Sequence, residues 1–129
     1  MNLLIDTHAL IWFITDSENL PIKTKQIIEN QENNCFISIA SLWEIGIKYS
    51  IGRLDLFTDL ETIFKIIEDS GFEILPITSS QILANAGLAF HHQDPFDRMI
   101  IAQASTEYLS IVSKDQMFDK YDVPVVWDK

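Results

Sequence analysis

Four acidic residues stand where a carboxylate is costly: Asp6, Glu44, Asp97 and Asp115. Asp6 closes the apolar run Leu3-Leu4-Ile5, and Asp115 follows Leu109-Ser110-Ile111-Val112-Ser113. Glu44 and Asp97 lie beside or on apolar helical stripes. Carboxylates are seldom buried without a partner. Gathered into one cleft, these four call for a divalent cation, and the chemistry that suits such a centre is hydrolysis of a phosphate ester. Two carboxylates about 4 Å apart repel by roughly 4 kcal/mol at an effective dielectric near 20, so without a cation some members hold protons. Oxygen ligands favour Mg²⁺ or Mn²⁺ over Zn²⁺, because His8, His91 and His92 do not form a set with zinc spacing. The adjacent His91 and His92 read as part of a loop, with substrate contact as their other reading.

Each acid also has an ordinary structural reading. Asp6 is placed to cap a helix starting near Thr7, and Asp115 to cap a short helix toward Phe118. Asp97 is the third residue of a helix capped by Asp94 with Pro95 first, where both charges suit the positive helix end. That reading explains Asp94 better than Asp97, because at about 100° per residue Asp97 shares the stripe of Ile100, Ile101, Ala104 and Tyr108. Glu44 borders the face of Ala40, Trp43, Ile47 and Ile51. One turn on, Lys48 offers it a surface ion pair worth a few tenths of a kcal/mol.

Strand-like and helix-like segments alternate along the chain. Asn2 to Ile5, Cys35 to Ser38, Phe72 to Leu75, Leu109 to Val112 and Val123 to Trp127 read as short strands. Alternation of this kind predicts an α/β fold, a parallel sheet of about five short strands flanked by helices. Pro21 suits a first helical position, Thr58 with Glu61 and Thr78 with Gln81 fit capping boxes, and Gly71 ends a helix. Residues 50–54 read as a break between helices, and no repeat or linker interrupts the chain, so residues 1–129 are expected to form one domain. In an open parallel sheet, ligands bind beyond the carboxyl ends of strands where the strand order reverses. Asp6 and Asp115 each follow a strand, so neighbouring strands would let them share a ligand.

Composition sets the bounds. A chain of 129 residues with 47% hydrophobic content can bury roughly two-thirds of its unfolded surface in one core. Cys35, the single cysteine, has no disulfide partner and reads as a buried strand thiol in a reducing compartment. No apolar run is long enough to span a bilayer, so a cytoplasmic protein without a membrane partner is expected. Nine basic against nineteen acidic residues give a net charge of −10 and argue against a broad phosphate-binding patch. Metal ions in an acidic cleft, or a few placed bases such as Lys48, Arg53, Arg98 and Lys114, would have to compensate.

Four segments together resemble a known family. Leu4-Ile5-Asp6-Thr7-His8-Ala9-Leu10, Ser41-Leu42-Trp43-Glu44-Ile45, Asp94-Pro95-Phe96-Asp97-Arg98-Met99-Ile100-Ile101-Ala102-Gln103-Ala104 and Ser113-Lys114-Asp115 look like PIN-domain nucleases. The nearest likeness is to VapC-type toxins of bacterial toxin–antitoxin pairs, and the order and spacing run the whole chain. The resemblance implies a metal-dependent endoribonuclease in which Asp6, Glu44, Asp97 and Asp115 form the catalytic quartet, with Asp6, Asp97 and Asp115 holding Mg²⁺ or Mn²⁺. It places Ser113 where the family has Thr or Ser, with a hydroxyl suited to orienting a metal-bound water, and makes Asp94 an additional acid near the site. Arg98 and Lys48 are candidates either for holding RNA phosphates or for pairing with the acids.

Two partners follow from the same likeness: an RNA substrate, and a cognate antitoxin whose arm would occupy the acidic groove. Leu10, Trp12 and Phe13 of the first helix are candidates for that groove, or for a self-association surface that would make the chain a homodimer. Singly, each reads more readily as core. A phosphoacceptor or dehalogenase-like domain also places an aspartate after its first strand, but requires further acids beside it, and Thr7-His8 supplies none. A non-catalytic PIN-like module binding RNA or protein is the remaining alternative.

Overall fold

A computed structural model describes residues 1–129. The five strands are β1 (Asn2–Ile5), β2 (Asn34–Ser38), β3 (Glu73–Leu75), β4 (Ser110–Val112) and β5 (Val125–Val126). All neighbours pair in parallel, in the order β3-β2-β1-β4-β5. The helices are α1 (Thr7–Ile14), α2 (Ile22–Glu29), α3 (Ile39–Ser50), α4 (Leu60–Asp69), α5 (Ser79–Ala86) and α6 (Pro95–Glu107), with a short 3₁₀ helix over Gln116–Lys120.

β1 is the central strand, and Leu3, Leu4 and Ile5 are fully buried. A parallel strand covered on both faces needs an unbroken apolar run, which this is. Successive side chains point to opposite faces. Leu3 and Ile5 accordingly join a core with Leu10, Ile37, Ile45, Ile63 and Ile67, whereas Leu4 joins Ile100, Ile101, Ile111 and Phe118 on the other side. Asp97 therefore leads into a helix whose Ile100, Ile101 and Ala104 are buried. Tyr108 lies off that stripe: it ends α6 in the left-handed region at φ 57° with its side chain exposed.

The strand order sets the position of the cleft. From β1 the chain builds outward through β2 and β3, then returns to the other side of β1 for β4 and β5. The switch lies between β1 and β4, where Ile5 is in register with Val112, so the segments that follow leave the sheet side by side. The Asp6 amide donates to the Val112 carbonyl at 3.1 Å, extending the pairing to the mouth of the crevice.

Several helix ends differ in detail from the sequence reading. Pro21 caps α2 from just outside, and the first helical residue is Ile22. Asp59, not Thr58, caps α4, accepting from the Thr62 amide at 2.8 Å. Both residue types are good caps, and Asp59 is the one whose side chain makes the cap bond, so the helix starts one residue later than the Thr58 pattern implies. The Thr78–Gln81 capping box is formed. Gly71 follows α4 at φ +87°, a conformation glycine adopts without a Cβ penalty.

Candidate metal centre

Asp6 comes from the end of β1, Asp97 from the first turn of α6 and Asp115 from just beyond β4. The three line one cleft of about 340 Å³, together with His8, Trp12, Lys114 and Phe118. A larger hollow of about 660 Å³ opens near the amino-terminal starts of β2 and β3, lined by residues such as Asn34, Cys35 and Glu73. It holds none of the candidate site residues. Chemistry rather than size marks the smaller cleft.

Two of the three cleft acids, Asp6 and Asp115, are fixed by capping a helix start. Asp6 caps α1, its Oδ1 accepting from the Ala9 amide at 2.7 Å. Asp115 caps the 3₁₀ helix, its Oδ1 accepting from the Met117 amide at 2.9 Å. Asp94 caps α6, accepting from the amides of Phe96 at 2.8 Å and Asp97 at 3.1 Å. Asp94 is exposed and does not line the cleft, so its capping role accounts for it. For Asp6 and Asp115, capping and cleft lining coincide: one oxygen serves the helix and the carboxylate still reaches the crevice.

Burial and crowding raise the affinity of these acids for protons. Burial pushes the Asp6 carboxyl above the ordinary range and Asp115 reinforces the shift, while the Ser113 hydroxyl, the Ala9 amide and the His8 charge oppose it. Asp97 is pushed up to about 6, first by burial and then by the negative charges of Asp94, Glu44 and Asp6, with His92 opposing. A carboxylate crowded by three others behaves in this way when no cation neutralises the group.

Glu44 is buried behind this group rather than on the surface, and Lys48 reaches it with Nζ 2.7 Å from Oε2. The i,i+4 pair is present, therefore, but it draws its partner's head inward instead of decorating a solvated face. Ser113 is also buried, its Oγ accepting the Asp115 amide at 3.0 Å. Its hydroxyl also bonds the Asp6 carboxylate, so Ser113 sits between Asp6 and Asp115 without being one of the cleft-lining residues.

Arg98 departs most from expectation. The guanidinium is buried and neither pairs with an acid nor faces the cleft. Nη1 donates to the carbonyls of Ala89 at 3.0 Å and His92 at 3.1 Å, and Nη2 to those of Asn85 at 2.9 Å and Leu88 at 3.2 Å. Its Cζ also lies 4.3 Å from the Phe90 ring centroid. The end of α5 and the following loop expose carbonyls that no helix can satisfy, and a five-donor planar fork fits them. A phosphate-gripping role is not open to a guanidinium so engaged.

The same loop delivers a residue whose role spacing did not reveal. His92 is buried, stacked on Phe118 with centroids 4.7 Å apart, and its Nε2 is 2.8 Å from Asp115 Oδ2. Nδ1 faces the Tyr121 hydroxyl at 3.2 Å, and that hydroxyl also accepts the His92 amide at 2.9 Å. The hydroxyl donates in turn to the Ala89 carbonyl at 3.3 Å, so the ring is tied at both nitrogens, to Tyr121 on one side and to Asp115 on the other. Ligand atoms of His92, Asp97 and Asp115 all lie within 4.8 Å of one another. The neighbourhood thus includes one nitrogen beside its carboxylates. Asp6 lies outside that close group but lines the cleft with Asp97 and Asp115, and these three carboxylates offer the oxygen donors that suit a hard divalent ion.

A family model for the PIN domain matches residues 3–124. Among curated proteins, none matches the chain by sequence. Among solved structures, the chain is similar to VapBC2 from Rickettsia felis bound to a promoter DNA fragment, with a TM-score of 0.72 and 16% identity, over 99% of this chain and 100% of that one. It is also similar to VapBC-1 from nontypeable Haemophilus influenzae, with a TM-score of 0.71 and 14% identity over 98% and 97% of the two chains. FitAcB from Neisseria gonorrhoeae gives 0.67 and 19%, over 95% of each. At these identities the structures attest the fold, and the match over nearly the whole sequence attests descent: the chain belongs to the PIN domain family.

Proposed function

We propose that this chain is a metal-dependent endoribonuclease, the VapC-type toxin of a toxin–antitoxin pair. The observation that carries the reading is the convergence of Asp6, Asp97 and Asp115 on one cleft, where burial first, and neighbouring negative charges after it, raise the proton affinity of Asp97. Such a group suits Mg²⁺ or Mn²⁺ at neutral pH, where the ion would offset both the burial of the carboxylates and their mutual repulsion.

Bound there, a divalent ion supplies Lewis-acid polarisation of the scissile phosphate and a more acidic water. The protein contributes geometry. Asp6 and Asp115 are held by the Ala9 and Met117 amides, and Asp115 is held again by His92. Asp97 sits in the first turn of α6 beside the positive helix end. Glu44, with its charge shared by Lys48, adds to the field that keeps a cation in place. In this reading Asp6, Asp97 and Asp115 are ligands, Glu44 completes the acidic quartet, and Ser113 and His92 position the ligands.

The likeness to VapBC assemblies and to a toxin–antitoxin complex from Klebsiella pneumoniae supports an antitoxin partner, and an acidic cleft suits a basic arm. Self-association as a homodimer belongs to the same reading. No helix is long and apolar enough to cross a membrane, which suits a cytoplasmic role.

Cleavage of RNA by the purified chain, free of any inhibitor, tests the proposal. Cutting is expected in Mg²⁺ or Mn²⁺, abolished by chelation, and reduced at least about a thousandfold by Asp97→Asn, as expected when a group central to transition-state charge is lost. Wild-type protein that binds these ions yet cuts no RNA would favour a binding module instead.

A further inference from the structure

The cleft has a wall that the acidic centre does not use. His8 and Trp12 lie one turn apart on α1 and both line the crevice, with ring centroids 5.9 Å apart and planes at 43°. Trp127 flanks Trp12 on its other side at 6.2 Å and 60°. Both neighbours are tilted to the indole rather than parallel with it, and Trp12 is half-buried, packing against the core on one side and lining the crevice on the other. Lys114 lines the same cleft, is exposed, and takes no part in the chain's ion pairs, which are Lys25–Asp16, Lys48–Glu44 and His92–Asp115. With Arg98 spent on carbonyls and Lys48 on Glu44, Lys114 is the one lysine or arginine lining the crevice.

A net charge of −10 makes phosphate neutralisation a poor source of affinity for RNA. Aromatic faces are the alternative, since every base offers a π surface and stacking does not require a basic groove. A volume of about 340 Å³ is near the small end of ligand pockets and admits one nucleotide-sized group, not a duplex. We propose that His8 and Trp12 form a stacking platform for one unpaired nucleobase of single-stranded RNA beside the scissile phosphate, with Lys114 on the adjoining phosphate. The inference rests on RNA being the substrate, and it makes base stacking rather than charge the origin of binding.

The test reads binding, not cleavage. The parent is the full chain carrying Asp97→Asn in Mg²⁺, titrated with a fluorescein-labelled single-stranded RNA of about ten nucleotides. Trp12→Phe, which keeps a ring, should bind within about twofold of the parent, whereas Trp12→Leu and His8→Ala should each weaken binding about tenfold. One or two phosphate contacts predict a slope of log K against log salt of about −0.7 to −1.4. Duplex RNA of the same sequence should compete poorly. Equal binding by the Leu and Phe variants, a slope steeper than about −2, or competition by duplex at equal strength would each overturn the platform. The salt slope needs no variant at position 12, so the proposal is tested even where Trp12→Leu does not fold. A chain that binds as described while the wild type never cuts would sink the nuclease reading and leave the platform standing.

Discussion

Asp97 couples chemistry to stability through its proton. Its carboxyl rises from the ordinary 3.8 to about 6, so the folded chain binds that proton more tightly than the unfolded chain does. The resulting stabilisation is complete below about pH 4 and is lost as pH climbs through about 6. Replacing Asp97 with Asn removes the charge that must otherwise be accommodated. The metal-free Asp97→Asn protein should therefore melt a few degrees above wild type at pH 7.5, and the gap should close by pH 4.5 in thermal scans. A gap that is the same at both values would mean that the carboxyl is not crowded. Of the cleft residues, the acids were legible in sequence because each breaks an apolar pattern. His92 was not, because its partner Asp115 lies 23 positions away, and only the fold brings imidazole and carboxylate together. Ser113 was legible by position, because it directly follows β4 and so falls beside Asp6 and Asp115.

At the level of elements, the strands were readable because four of the five are short apolar runs bounded by polar residues, and the edge strand β5 is reduced to two paired residues. Helix caps were less so: Thr58 and Asp59 are adjacent and both suited to capping, so the sequence does not separate them by type. Arg98 shows the sharper limit. A basic residue next to an acidic motif suggests a phosphate contact, yet here the guanidinium closes the end of α5 onto the start of α6 through four carbonyls. Because one of those carbonyls belongs to His92, the arginine also braces the loop behind Asp115. Arg98→Lys keeps the charge but cannot make the fork, and it should cost about 3 kcal/mol of unfolding free energy in denaturant titration. Were Arg98 a phosphate contact, the same change would weaken RNA binding and leave stability unaltered.

For the molecule as a whole, the proposed metal centre would make folding and ion binding one equilibrium. The unfolded chain scatters Asp6, Asp97 and Asp115, so an ion that needs all three binds the folded state alone. Mg²⁺ or Mn²⁺ at about 100 times its dissociation constant should add about 2.7 kcal/mol, seen as a rise in Tm that a chelator reverses. Asp97→Asn should blunt that rise. A Tm indifferent to either ion would remove the centre from the proposal. The overall charge of −10 acts in the same direction, since each neutralised carboxylate also relieves repulsion across a small acidic domain.

Asp6 and Asp115 each give an oxygen to an amide at the start of a helix. Asparagine retains such an acceptor oxygen and ranks with aspartate as a cap, while alanine offers nothing. A descendant that abandoned catalysis would thus have a gentle exit through amides at positions 6 and 115. Deletion of the side chain would instead unfasten the scaffold along with the chemistry.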